Sequence, residues 1–136
     1  EAAMQYLYLR DLNSAEGNGQ LDDFYAIRSL SPSARRFCAD LVKGILTHAP
    51  EIDESIKKYA VNYELHRISA VDRNILRMAI YEMLHCTDIP PVVSINEAIE
   101  IAKKYSAEDS GKFVNGVLDR IRLSLPRDAR NPQAAR

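Results

Sequence analysis

The residues from Ala107 to Ile121, A-E-D-S-G-K-F-V-N-G-V-L-D-R-I, are the part of this chain whose types and spacing could do chemistry. A helix turns about 100° per residue. In that register Val114, Val117, Leu118 and Ile121 share one narrow stripe, which is the core face. Phe113 lies roughly 90° from the centre of the stripe. Asp109, Lys112, Gly116 and Arg120 are its neighbours on that flank. A flat ring beside a glycine and two cations is a seat for an unstacked nucleic-acid base. The same ring can also cover the rim of the core or pack on another helix, since exposed aromatics pack more often than they bind. Geometry alone leaves both readings open.

Signs of catalysis are sparse elsewhere. There is no phosphate loop, no G-x-S-x-G, no H-E-x-x-H and no glycine-rich dinucleotide turn. Glu82 falls inside an apolar arc with Val71, Ile75 and Met78, so its carboxyl must be paired or titrate high. It fits a general base, but also a structural ion pair or a hydrogen bond to a helix end. Asn96, Glu97 and Glu100 sit early in a helix and suit its dipole. Arg73 and Arg77 are one turn apart on a polar face, and Arg35 and Arg36 are adjacent on another. Such arginines can be solvated, pair with acids, or meet phosphate or a protein. Cys38 and Cys86 are far apart and outside any C-x-x-C pattern, which points to two reduced thiols. His48, His66 and His85 have no ligand-like spacing, and neither a metal nor a cofactor is expected.

The elements that must position these residues read as helices. At 136 residues, 46% apolar and 27% charged, the chain has the make-up of one soluble domain with its own core. No apolar run reaches the length of a membrane span, and there is no secretory leader pattern. A first helix runs from Glu1 to about Leu12, and a loop covers Asn13 to Gln20. Ser31-Pro32 opens a helix to about His48, with Phe37, Cys38, Leu41, Val42 and Ile45 inward. Pro50 restarts the chain, and Ile52, Ile56, Tyr59, Ala60 and Tyr63 mark the next helix. Ser69 with Asp72 resembles a capping box before a central helix from Ala70 to about Cys86. Asp88-Ile89-Pro90-Pro91 ends it, and Ile95, Ala98, Ile99 and Ala102 mark its successor. Ser106 or Asp109 caps the last helix, which runs to about Leu125. The expectation is an all-α domain over residues 1–125, with six or seven helices and a basic, disordered tail over 126–136. From Arg120 on, five arginines face Asp128 alone, a net of +4, so the remainder carries −5. That asymmetry suggests one local anionic partner, or a solvated tail.

Three segments together resemble the NusB family of transcription antitermination factors. They are D-R-N-I-L-R-M-A-I-Y-E-M (Asp72 to Met83), D-I-P-P-V-V-S-I-N-E-A-I-E-I-A-K-K-Y (Asp88 to Tyr105) and A-E-D-S-G-K-F-V-N-G-V-L-D (Ala107 to Asp119). The opening E-A-A-M-Q-Y-L-Y is similar to that family's first helix, and the likeness extends to about Arg122. The resemblance implies two small helical bundles packed together and a non-enzymatic RNA-binding factor of the bacterial cytoplasm. It implies pairing with NusE, a small-subunit ribosomal protein, on boxA-type single-stranded RNA within an RNA polymerase antitermination complex. Carried over by position, Tyr8, Asp109, Ser110, Lys112, Phe113, Asn115 and Gly116 would face RNA, with Arg120 on the same flank. Phe113 would stack on a base, Lys112 would meet phosphate, and Asp109 and Ser110 would reach base edges or 2′-hydroxyls. Asp72, Arg73 and Arg77 would face the partner protein. Two features depart from the family pattern: the arginine-rich arm before the first helix is not in this sequence, and position 111 is Gly where relatives carry bulkier polar residues. Two other readings fit the helices: a NusB-like domain of an rRNA cytosine methyltransferase, and a helical adaptor or homodimer without RNA.

Overall fold

The computed structural model describes residues 31–60, 68–106 and 109–125. Readings that fall on the first thirty residues, Tyr8 among them, lie outside the described residues, as do Tyr63, His66 and the tail after Leu125. Five helices and no strand occur among the described residues. They are α1 (Pro32–Thr47), α2 (Ala49–Tyr59), α3 (Ala70–His85), α4 (Pro91–Tyr105) and α5 (Ser110–Ser124).

The boundaries follow local chemistry. Ser31 caps α1, its Oγ accepting the Ala34 amide at 3.2 Å, and Pro32 fills the first helical position, where no amide proton is needed. His48 ends α1 and begins α2 in a single residue. Ser69 Oγ accepts the Asp72 amide, but Asp72 does not reach back, so only half of the expected capping box forms. Its carboxylate is held elsewhere, by Ser106 and Ser110. Pro90 and Pro91 start α4 after the short turn that follows α3.

The central helix is α3, which packs against all four others. Ile75, Leu76, Ile80 and Met83 are its largest fully buried apolar side chains. Ile45 of α1, Ile52 and Ile56 of α2, and Val114, Val117, Leu118 and Ile121 of α5 complete the same core. Full burial of each such aliphatic contributes roughly 1.5–3 kcal/mol. The α5 stripe is therefore where its spacing puts it. One expectation is corrected. Phe37 is 64% exposed and does not face the core, because Cys38, Leu41, Val42 and Ile45 already fill that face of α1. On α4, Ile95, Ala98 and Ala102 are buried as the pattern implies, Ile101 joins them, and Ile99 packs at the edge of the core.

Among the described residues the buried polar side chains of Asp72, Asn74 and Ser110 find partners, while the Ser94 hydroxyl does not. Asn74, fully buried, donates from Nδ2 to the Ala70 carbonyl and accepts from Arg77. Arg77 grips Asp53 of α2 through two bonds of 2.9 and 3.1 Å, a planar fork on a planar carboxylate. Cys38 is buried and Cys86 half-buried, and neither is joined in a disulfide among the described residues. No described helix is long and apolar enough to cross a membrane.

Candidate nucleic-acid interface

The start of α5 is held from beneath. Ser110 is buried, and its Oγ donates to Asp72 Oδ2 at 2.9 Å. Ser106 Oγ donates to Asp72 Oδ1 at 2.7 Å, and the two serine oxygens lie 2.8 Å apart. Two hydroxyl protons thus face three short contacts. Bonds to a charged acceptor are the stronger ones, so both protons go to the carboxylate. The segment joining α4 to α5 is thereby fastened at both ends to the first turn of α3.

This fastening changes what several expected site residues do. Ser110 and Asp72 are both buried and bonded to each other, so neither presents its side chain to an outside partner. Arg77 is spent on Asp53 and Asn74, and an Arg73 NH donates to the Ile68 carbonyl at 3.3 Å. Arg120 donates to the Tyr59 carbonyl at 2.9 Å, placing a cation at the C-terminal end of α2. Asp72 and Ser110 support the surface from beneath, half-buried Arg73 and Arg77 bond within the fold, and exposed Arg120 ties α5 to the end of α2.

What α5 does present is a short strip. Asp109, Lys112 and Asn115 are exposed. Asp109 sits at the N-cap position of α5 but makes no side-chain capping bond. Phe113 is half-buried and packs on the rim of the core, which leaves part of its ring at the surface. Gly116, one turn on, has open space where a side chain would begin. The packing reading of Phe113 is therefore seen, and the residue is only half-buried, next to exposed Lys112 and one turn before Gly116. Gly111 lies against Ile99, whose methyl would be 3.9 Å from an added Cβ, an ordinary contact. A larger residue at 111 is therefore sterically tolerated.

Glu82 behaves as its apolar arc demands. Burial pushes its carboxyl above the usual carboxylate range, and Glu97 of α4 pushes the same way. The nearby Ser94 hydroxyl opposes them, without closing a hydrogen bond of good geometry. Glu82 is thus a partly buried acid of the α3–α4 contact, beside the Ser94 hydroxyl.

Comparison with known proteins decides the family. The NusB family matches residues 1–122. The chain belongs to the NusB family. It is 46% identical over 129 residues to the transcription antitermination protein NusB of Geobacter sulfurreducens, covering 93% of this chain and 92% of that one. Identity to the protein of the same name from Desulfosudis oleivorans is 44%, covering 92% and 83%. Among solved structures, T. maritima NusB is similar with a TM-score of 0.80 at 40% identity, covering 90% of this chain and 86% of that chain. NusB in a complex of NusB and NusE with double-stranded RNA gives 0.83 at 28% identity, covering 91% and 92%. The fold is therefore the NusB fold, and the family's members carry the name of an antitermination factor, not of an enzyme.

Proposed function

We propose that this protein is a bacterial transcription antitermination factor that binds boxA-type RNA of nascent ribosomal transcripts together with NusE. It works in the cytoplasm, within an antitermination complex on RNA polymerase, and promotes read-through. The observation that carries this reading is the strip on α5. Exposed Lys112 and Asn115, an uncapped Asp109 and a half-buried Phe113 stand together beside the side-chain-free Gly116.

Each group has a role its geometry permits. The open part of Phe113 offers a stacking surface for one base, and Gly116 lets that base approach the helix closely. Lys112 supplies charge for a phosphate. Asp109 and Asn115 reach base edges or 2′-hydroxyls. Ser110, Arg120 and Asp72 hold the strip in place. The NusE-facing role read for Asp72, Arg73 and Arg77 becomes one of bonding within the fold. Relatives matched over most of their own length carry the antitermination name, which favours this reading over a methyltransferase domain.

The test is a titration of boxA-type RNA with and without NusE. Phe113→Ala weakens binding by about 1–3 kcal/mol. Lys112→Ala weakens it less and reduces the slope of log affinity against log salt by about 1. If both variants fold and bind as the parent does, the strip is not the RNA site.

A further inference from the structure

Away from the α5 strip, at the C-terminal end of α3, three side chains from three places in the chain converge. His48 stands at the joint of α1 and α2, Glu51 in the first turn of α2, and His85 is the last residue of α3. His85 Nε2 lies 2.7 Å from Glu51 Oε1. The His48 and His85 rings stack with centroids 3.9 Å apart. One donor atom from each of the three residues falls within 4.8 Å of the others. Asp72 lies about 20 Å along the same helix, at 1.5 Å per residue.

We propose that His48, Glu51 and His85 form a binding site for a divalent transition-metal ion, with Zn2+ as the fitting species. Two imidazoles and one carboxylate are a zinc donor set, and a water completes four-coordination. Two nitrogen donors of three select against calcium and magnesium, which take oxygen. The surroundings favour a cation. The C-terminal ends of α1 and α3 meet here with partial negative charge on their last carbonyls, which outweighs the single N-terminal end of α2 whose first turn holds Glu51. The rings are also held in place. Tyr81 stacks on His85 at 5.4 Å and lies 6.0 Å from His48. Its phenol in turn rests on Gly44 of α1, where any side chain would overlap it.

Coordination needs the side chains to turn: the two stacked rings must tilt so that each nitrogen lone pair, which lies in its ring plane, points at the ion, and donors up to 4.8 Å apart must draw together. The His85–Glu51 contact must open by roughly half an ångström, since donors about 2.0–2.1 Å from zinc in a tetrahedron stand farther apart than a hydrogen bond. The bound ion would join the α1–α2 joint to the end of α3. It binds only the folded arrangement, so it stabilises the protein by mass action.

The experiment uses the full chain without a histidine tag. Zn2+ is titrated by calorimetry, Co2+ by its visible absorption, and thermal melts are taken with Zn2+ and with a chelator. The expected result is saturable binding of one ion per chain and a visible Co2+ band of four-coordinate type. The melting temperature should rise by about 5 °C or more at a hundred-fold excess over Kd. His85→Gln and His48→Asn each weaken Zn2+ affinity at least a hundred-fold, and Glu51→Gln about ten-fold. Chelator-treated melts of the three variants establish that they fold. Absence of saturable binding at 100 µM Zn2+ overturns the site. So does one-to-one binding that survives both histidine variants, because the ion then sits on other ligands.

Discussion

The two ends of α3 carry polar clusters of opposite character. At the N-terminal end, Asp72 is 8% exposed and holds the hydroxyls of Ser106 and Ser110. At the C-terminal end, Glu51 and His85 meet at the surface with solvent on both. The first cluster is closed: its acceptor is saturated by groups that lie 34 and 38 residues away in sequence. The second is open: its donors are preset by stacked rings yet retain room for another ligand. A closed cluster costs much when broken, since removing one partner strands the others away from water. An open one costs little, since water replaces what is lost. One helix thus carries a fastening for the proposed RNA strip at one end and a docking point for a small ion at the other.

The largest effect should come from the closed end. Asp72→Ala removes the acceptor of two charge-assisted bonds and should cost about 3 kcal/mol in denaturant unfolding. Amide hydrogen exchange should rise across the first turn of α5. Ser110→Ala, which leaves the carboxylate with one partner, should cost about 1 kcal/mol. A loss under about 1 kcal/mol for Asp72→Ala would mean that the two ends do not differ in this way.

Next in size is the packing that presets the open end. A Cβ at position 44 overlaps the Tyr81 ring, and the ring must move. Gly44→Ala should therefore cost about 1–3 kcal/mol. Near-ultraviolet circular dichroism should report the displaced tyrosine. Pairing Gly44→Ala with Tyr81→Leu should recover part of the loss, because the smaller side chain can step aside. Full additivity of the two changes would show that the ring does not rest on Gly44.

The contrast between the ends also explains what the sequence could and could not disclose. The stripe of Val114, Val117, Leu118 and Ile121 needed only helical spacing, and all four are buried. Ser31, Pro32 and the Pro90-Pro91 pair mark helix starts by chemistry local to a few residues. Phe37 misled because spacing alone does not say how wide a core face is. Asp72 misled because its local partner, the Ser69 cap, competes with two serines brought in by the tertiary fold. Family resemblance pointed to Ser110 as an RNA contact, and only its burial shows that the hydroxyl faces inward. The His48, Glu51 and His85 set has no ligand spacing along the chain, since His85 is 34 residues beyond Glu51. The one available signal was His48 and Glu51 at three-residue separation, beside a histidine ending a helix.

Without metal, the open end should prove energetically slight. Glu51→Gln breaks an exposed pair and should change stability by less than about 1 kcal/mol in chelator-containing buffer. A cost near that of Asp72→Ala would make the C-terminal cluster a structural fastening like its counterpart and erase the distinction.

The smallest effect, and the one with the opposite sign, lies between the two ends. Burial and the neighbouring Glu97 raise the Glu82 carboxyl above its ordinary range. An acid raised in this way binds its proton more tightly in the folded state than in the unfolded one. Its favourable contribution is complete below the unfolded pKa and is lost as pH rises through the folded pKa. At neutral pH the charged carboxylate therefore works against folding. Glu82→Gln removes that charge and keeps a group that can bond to the Ser94 hydroxyl, which has no partner of good geometry. The variant should equal or slightly exceed the parent in denaturation midpoint at pH 7. Its advantage should shrink as pH falls through the raised carboxyl's range and vanish below the ordinary carboxylate range. A variant that is instead weaker at pH 7 than at acid pH, relative to the parent, would show that Glu82 is favourably paired as a carboxylate. Burial would then not be its governing influence, and α3 would carry three satisfied polar positions instead of one closed end, one open end and a strained acid between them.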